Sequence, residues 1–405
     1  MDDALDHEAL RINPDWARLP LFDRNGWERV RFGDVVANVN ETERDPGTAG
    51  IERFIGLEHL EPGSLHIRHW GNVGDGTTFT RRCRPGQVLF GKRRAYQRKV
   101  ALAEFDSLVS GDIYVLTPKN DRLLPELLAF LCMAERFFQH ACGTSAGSLS
   151  PRTNWSSLAS FEFDLPPLDQ QFRIANILWA TDDVQEADET TVAAAIVSER
   201  AFCANCFGEF ARRNKTVRLG EISEFITSGS RGWAEHYSDK GPLFLRSQNI
   251  RDQTLDFTDL QRVQPPKGAE GERTRTKPGD LVITITGNSV GNVAFVPESL
   301  EEAYVSQHVG LVRLVQPERH RMLSAFFGKN APGNEQILRA QYGLKPGLNL
   351  TSLRNLVVPY PDLDELQRIT ESIFAFDKLR RATQQSLSAI ATMKRELCDA
   401  LFNST

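Results

Sequence analysis

A stretch in the middle of this chain returns at its end without a single insertion. At a constant offset of 195 residues, Pro166 to Phe210 overlays Pro361 to Thr405. The overlay pairs Pro166 with Pro361, Leu168 with Leu363, Asp169 with Asp364, Arg173 with Arg368, Ile174 with Ile369 and Asp182 with Asp377. It holds register through Ala194/Ala389, Arg200/Arg395, Cys203/Cys398 and Phe207/Phe402. A period of nearly half the chain is too long for a solenoid or propeller; it implies two copies of one large module and a pseudo-twofold molecule.

At 405 residues the chain has room for two to three domains, each able to bury a core without disulfides or metal. No apolar run approaches the roughly 20 residues that span a bilayer. The start, MDDALDHEALRINPDWARLP, is acidic and lacks the apolar stretch of a signal peptide, so a cytoplasmic location is expected. Of six cysteines only Cys203 and Cys206 form a C-x-x-C pair. With no second ligand pair nearby, and inside an expected helix, they read as small residues on a helix face.

A net charge of −5 argues against a nucleic-acid binder until it is divided along the chain. Residues 1–26, 27–165, 166–210, 211–360 and 361–405 carry −3, 0, −6, +5 and −1. The acid lies on the N-terminal segment and the first repeated stretch, leaving the modules between them neutral to basic. Because binding follows the local field, an acidic total does not exclude DNA.

Each repeated stretch predicts one long helix: Pro361 lies before the start of the second copy, Asp364 can cap it, and no glycine or proline interrupts 364–405. A 3/4 spacing runs through Ile369, Ile373, Phe376, Arg380, Thr383, Leu387, Ile390, Lys394, Leu397 and Leu401, a heptad-type seam with a polar middle. The first copy supplies Ile174, Leu178, Val192, Ala195, Phe202 and Cys206. Packing the copies on each other would bury both stripes, and about 38 residues at 1.5 Å rise make a rod of ~57 Å.

Short β-rich runs divided by glycine and proline make up the intervening modules. VRFGDVVANV, ERFIGLEHL, RPGQVLFGKRR and SGDIYVLTP precede a helix through LPELLAFLCMAERFFQ in the first. RLGEISEFI, GPLFLRSQNI, KPGDLVITITG, NVAFVP and VGLVRLVQP, with a helix over 322–327, form the second. The order agrees, but the offset drifts from 187 through 190, 193 and 196 before settling at 195. Loops vary while the helices tolerate no length change, as expected of a rigid spacer carrying two variable readers.

The helix starts LPPLDQQFRIANIL and YPDLDELQRITESI, the preceding GTSAGSLSPRTNWSSLASFEFDLP and YGLKPGLNLTSLRNLVVPYP, and the strand-turn KPGDLVITITGNSVGNVAFV together resemble the specificity (S) subunit of type I restriction-modification systems. The resemblance runs from about Trp27 to the C-terminus; residues 1–26 fall outside it, and Leu366 departs from Gln171 of the first copy. It implies an α/β (α+β) chain of tandem target recognition domains, 27–165 and 211–360, of mixed β-sheet and short helices. Two long antiparallel helices, 166–210 and 361–405, would form a coiled-coil spacer. It further implies no catalysis and no cofactor in this chain. Methyltransferase (M) subunits, two of them, would use S-adenosylmethionine, and restriction (R) subunits would use ATP and magnesium.

The residues agree with that expectation: there is no G-x-x-x-x-G-K-[ST] loop, no dinucleotide fingerprint and no N/D-P-P-Y/F tetrapeptide. Asp112 and Asp280, each after a glycine, read as turn residues rather than nuclease carboxylates.

Contacts to double-stranded DNA are expected first from residues 81–99, which hold Arg81, Arg82, Arg84, Lys92, Arg93, Arg94, Arg98 and Lys99 with no acid among them. Arginine can bond guanine O6 and N7 together, and any of these cations can neutralise phosphate. Tyr96 and Gln97 add stacking and adenine-reading groups, while Lys99 leads into an apolar run and reads as structural. The second module offers Ser230, Arg231, Gln248, Asn249, Thr286, Asn288, Ser289 and His308, with Gly287 and Gly291 allowing close backbone approach. Lys345, between Gly343 and Gly347, is a further candidate, answering the loop from Gly143 to Gly147. A specificity factor for a solitary methyltransferase or another phage-defence assembly would have the same sequence. A scaffold that binds only proteins is the other alternative, and predicts no salt-sensitive affinity for duplex DNA.

Overall fold

The computed structural model describes residues 23–266, 268–341 and 347–402. Its contacts divide them into two units: the described residues up to Thr190 with those from Thr383 onward, and Thr191–Ala382. Each unit contains one β-rich module and one half of each of two long helices, α1 (Leu168–Arg212) and α2 (Leu363–Ala400).

In the first module a four-stranded antiparallel sheet runs in the order Val36–Val39, Ile113–Pro118, Val88–Gly91, Val100–Leu102. A second sheet orders Gly71–Asn72, Arg53–Ile55, Ser107–Val109 and Arg81–Cys83, with the middle pair parallel. The second module repeats the plan. Ser223–Ser228, Val309–Leu314, Leu281–Thr284 and Val293–Phe295 make its four-stranded sheet. Arg262–Val263, Tyr237–Leu245 and Ala303–Val305 make the other, again with one parallel pair. In place of a fourth strand, Arg275 forms a single bridge to Tyr304. The strands Val88–Gly91, Leu281–Thr284 and Val309–Leu314, apolar apart from Thr284 and Arg313, are buried throughout, as strands covered on both faces must be.

Each module closes on itself through a two-stranded clasp, Glu28–Arg31 with Glu162–Leu165 and Thr216–Arg218 with Val357–Pro359. A short capped helix precedes the second strand of each clasp. Asn154 accepts from Ser157 N at 2.8 Å and Asn349 from Ser352 N at 2.6 Å, the same N-cap repeated at the 195-residue offset.

The long helices begin as expected, but the cap of α2 is Asp362 rather than Asp364. Asp362 Oδ1 accepts from Glu365 N at 3.0 Å and Glu365 Oε2 from Asp362 N at 3.2 Å, a reciprocal capping box. The apolar ends of the helix stripes enter module cores. Ile174 and Leu178 of α1, with Leu397, Leu401 and Phe402, pack in the first core around Phe32, Phe90, Phe137 and Phe161. Phe207 and Phe210, with Leu366, Ile369 and Ile373, join Met322, Leu323 and Phe326 in the second. The helices meet each other mainly through the polar middle of the seam. Lys394 pairs with Asp182 in the first unit, and Arg380 bonds Glu199 at 3.0 Å in the second. There the Phe202 and Phe376 rings also lie 6.0 Å apart, and Arg213 bonds Glu365 at 2.8 Å, so the helices run antiparallel.

The helix expected through 124–139 is broken in two, Pro125–Met133 and Glu135–Gly143, at an extended Ala134. The break is stabilised from afar: Glu135 N donates to Asp399 Oδ1 at 2.7 Å, so a carboxylate at the end of α2 caps the new N-terminus.

Candidate nucleic-acid interface

One hydrogen-bonded frame appears in both modules at the end of a central strand. Strand Val88–Gly91 runs into Lys92, whose N–H donates to Asp112 O at 3.0 Å, while Thr153 N–H donates to Lys92 O at 3.0 Å. Strand Leu281–Thr284 runs into Ile285, whose N–H donates to His308 O at 2.9 Å, while Leu348 N–H donates to Ile285 O at 2.8 Å. The bridge between Arg93 and Arg152 is answered by that between Thr286 and Gly347. Side chains of Arg93, Asp112 and Arg152 therefore occupy the places of Thr286, His308 and Gly347, although 19 to 59 residues separate Arg93 from its neighbours in sequence.

The loop beyond the frame turns twice through left-handed backbone. In the second module glycines take both positions, Gly287 at φ 101° and Gly291 at φ 93°. Arg94 at φ 54° and Arg98 at φ 56° take them in the first. A side chain there costs about 1 kcal/mol, and such strain concentrates where function demands a particular side chain.

In the first module Asp112 joins two guanidiniums. Arg152 Nε lies 2.8 Å from Oδ1, and Arg93 Nη1 lies 3.2 Å from Oδ2. Burial pushes the Asp112 pKa up, but these hydrogen bonds outweigh it and hold the carboxyl below its ordinary range. Arg93 Nη2 and Arg94 Nη2 both reach Ser150 Oγ, at 3.0 and 3.2 Å. Lys92 lies over the Tyr114 ring at 4.8 Å, its pKa lowered by burial and by Arg81. Tyr96 is exposed beside them and Gln97 half-buried.

The other cations of residues 81–99 have partners that are remote in sequence. Arg82 is paired with Asp106 and only 15 % exposed, and Arg84 Nε bonds Glu41 at 3.0 Å. Arg81 donates to Ile113 O at 2.9 Å and Asn40 Oδ1 at 2.8 Å. Arg98 pairs with Glu135 and covers the Phe138 ring, on the side facing α2. Lys99 Nζ donates to Leu57 O at 2.6 Å, the structural role its apolar surroundings suggested. A run without acid in sequence is thus largely neutralised by tertiary pairing. Arg82 and Arg98 serve the scaffold, and Arg93, Arg94, Lys92 and Arg152 form the charged end.

In the second module Thr286 Oγ1 is hydrogen-bonded to His308 Nδ1, and Gln307 Nε2 lies 3.0 Å from His308 Nε2. Asn288 and His308 are exposed and Ser289 half-buried, forming a hydroxyl- and amide-rich end. Ser230 accepts from Arg273 Nη2 at 2.7 Å and Arg231 is exposed next to it. Gln248 is held by Asp259. Asn249 departs from expectation: it is 1 % exposed, and its amide donates to Asp256 O and Asp259 O, both at 2.9 Å, as an internal brace. Lys345 lies outside the described residues. Arg152 carries no local signal in the sequence, where Asp112 reads as a turn residue. The signal available was the 195-residue offset, which sets Arg152 opposite Gly347 beside the Lys345 candidate.

Asp280, the other candidate carboxylate, is buried on Arg313 at 2.7 Å and accepts from Lys277 N at 2.7 Å. Among the described residues no group of three or more His, Cys, Asp or Glu side chains could hold a metal ion. No helix among them is long and apolar enough to cross a membrane. Two copies of one frame, each presenting a different polar loop, define a duplicated two-module protein.

Comparison with known proteins shows which family this chain is similar to. Residues 74–196 match the type I restriction modification DNA specificity domain. The Escherichia coli type I restriction enzyme EcoDI specificity subunit is 26 % identical over 159 residues, 37 % of this chain and 33 % of that protein. The match thus spans about a third of the EcoDI subunit's length. The Methanocaldococcus jannaschii MjaVIII specificity subunit is 18 % identical over 93 % of this chain and 92 % of its own length. The fold is that of the type I restriction-modification S subunit from M. genitalium, with TM-score 0.61 and 14 % identity over 94 % of this chain and 97 % of that one. It is also that of a chain from a type I R-M system solved for complex assembly and conformational transition, with TM-score 0.59 and 18 % identity over 94 % and 98 %. The chain thus matches the specificity subunits of type I restriction-modification systems by a domain model over residues 74–196, by sequence and by fold.

Proposed function

We propose that this chain is the non-catalytic DNA-recognition subunit of a type I restriction-modification complex. Residues 27–165 and 211–360 each read half of a bipartite duplex target, and 166–210 and 361–405 serve as spacer and as seat for methyltransferase and restriction subunits. Two methyltransferase subunits, one per repeat, fit the internal duplication. The observation that carries this reading is the repeated frame, which offers Arg93, Arg94 and Arg152 at the end of one module and Thr286, Asn288 and His308 at the end of the other. The charged end suits phosphate and guanine; the neutral end suits base edges through hydroxyl and amide groups.

Mapping methylated adenines in the source genome with and without this gene tests the proposal. One split motif should vanish when the gene is removed, and an unchanged methylation pattern would overturn the assignment.

A further inference from the structure

At the charged end of the first module, Arg152 differs from its neighbour Arg93 in how its guanidinium is used. Its Nε meets Asp112 Oδ1 at 2.8 Å and its Nη2 only grazes Oδ2 at 3.5 Å, while Nη1 meets no acceptor among the described residues. A guanidinium has five donors, and a carboxylate on the Nε edge leaves the Nη1/Nη2 edge to bond two acceptors in one plane. Arg93 is the opposite case: Nη1 is spent on Asp112 and Nη2 on Ser150, so its terminal edge is closed.

The backbone under Arg152 is held from two sides. Arg152 N donates to Ala146 O and Ala146 N to Arg152 O, both at 3.0 Å, and the residue also bridges to Arg93. Next to it Arg94 N donates to Pro151 O at 2.7 Å. The Arg152 side chain is nevertheless 51 % exposed. A cation with a fixed base, a buttressed inner edge and an open outer edge loses on binding little of the ordering entropy that a flexible surface arginine would lose.

Resting on the DNA-recognition reading above, we propose that Arg152 is the guanine-reading residue of the first module and that Asp112 is its positioning residue. Guanine alone among the bases presents two acceptors, O6 and N7, side by side in the major groove, which matches the open Nη1/Nη2 edge. A phosphate also accepts from such an edge, but its binding would be weakened by the carboxylate that half neutralises this arginine, whereas uncharged guanine acceptors lose less. The second module holds Gly347 at the equivalent position and a Thr286–His308 pair in place of Arg93 and Asp112. Its half-site is therefore read by other means, and the two half-sites differ in kind.

The test is in vitro selection of DNA by the chain assembled with its methyltransferase subunits, comparing the natural protein with Arg152→Lys, Arg152→Ala and Asp112→Asn. The natural complex should select a split motif with an invariant guanine in one half. Arg152→Lys keeps the charge but not the planar fork. It should lose roughly 10- to 100-fold of the preference at that guanine alone, with the other half-site unchanged. Asp112→Asn should weaken the same preference less and leave the rest of the motif intact. If Arg152→Lys selects the natural motif while Arg152→Ala binds all sequences more weakly, Arg152 is a phosphate contact and the inference fails. If no variant alters the motif, it fails as well. A natural complex that selects no motif would instead break the recognition reading itself.

Discussion

The two crossings of α1 and α2, one in each unit, carry the same carboxylate and neutralise it in different ways. Asp182 and its repeat Asp377 stand at equivalent places. In the first unit the cation comes from the facing helix, where buried Lys394 pairs with Asp182 and His66 Nε2 adds a bond at 3.0 Å. In the second unit the residue answering Lys394 is Glu199, a second acid. Arg380, which answers Gln185, supplies the cation instead, bonding Glu199 at 3.0 Å and Asp377 at 2.8 Å. Burial raises the Glu199 pKa, and Arg380 restrains that rise. The helix starts repeat the lesson. Gln171 bonds Pro166 O, Arg122 O and Leu124 N at 2.8, 2.8 and 2.9 Å. Its counterpart Leu366 is buried and apolar, and Arg319 donates to Pro361 O at 3.0 Å. A duplicated backbone preserves a demand for charge or hydrogen bonding at each place, and leaves open which side chain meets it.

Exchanging the solutions is the strongest way to break this comparison. Lys394→Glu sets a carboxylate against buried Asp182 and should destabilise the chain by about 3–5 kcal/mol in denaturant unfolding. Adding Gln185→Arg recreates the second unit's arrangement and should recover at least half of that loss. Failure to recover any would mean that the crossings are not interchangeable. Arg380→Gln, which leaves Glu199 and Asp377 facing each other at a partly exposed site, should cost about 2 kcal/mol by the same measurement.

The loop pair sharpens the comparison on a smaller scale. Gly287→Ala, in open space but at φ 101°, should cost about 1 kcal/mol. Arg94→Gly should stay within about 0.5 kcal/mol in stability, because relieved strain offsets a looser unfolded chain, yet weaken DNA affinity and flatten its salt dependence. Undiminished affinity would remove Arg94 from the interface.

The smallest effect is in pH and belongs to the first unit alone. Although burial disfavours the charged ring, Glu104 at 2.9 Å, Asp182 at 3.0 Å and nearby Glu186 raise the His66 pKa above its ordinary value. Lys394, shared through Asp182, and Arg68, paired with Glu186, are the cations bonded to this cluster among the described residues. With the folded pKa raised, the stabilisation from His66 is complete below about pH 6.5 and fades as pH rises through the folded value. The melting difference between the natural chain and His66→Gln should therefore be larger at pH 6 than at pH 8.5. An equal difference would show that the proton plays no part. This cluster, with Arg68 bonded to Glu61 at 3.0 Å and paired with Glu186 and Glu189, also neutralises part of the acid that the first repeated stretch carries.

By itself the sequence determined the duplication, the two helices with no break in 364–400, the strands Val88–Gly91, Leu281–Thr284 and Val309–Leu314, and the loops beyond them as the places where polar chemistry collects. These depend on local signals: period, apolar runs, glycine and proline. Only the tertiary structure decided which cations are spent. Arg84 meets Glu41, Arg98 meets Glu135 and Arg152 meets Asp112 across 37 to 43 residues, and Asp399 splits a helix 264 residues away. Sheet register and helix packing bring those pairs together, and no local pattern encodes either. The same physics hid Arg152, an isolated arginine after a proline until the frame of Lys92, Asp112 and Thr153 placed it beside its carboxylate.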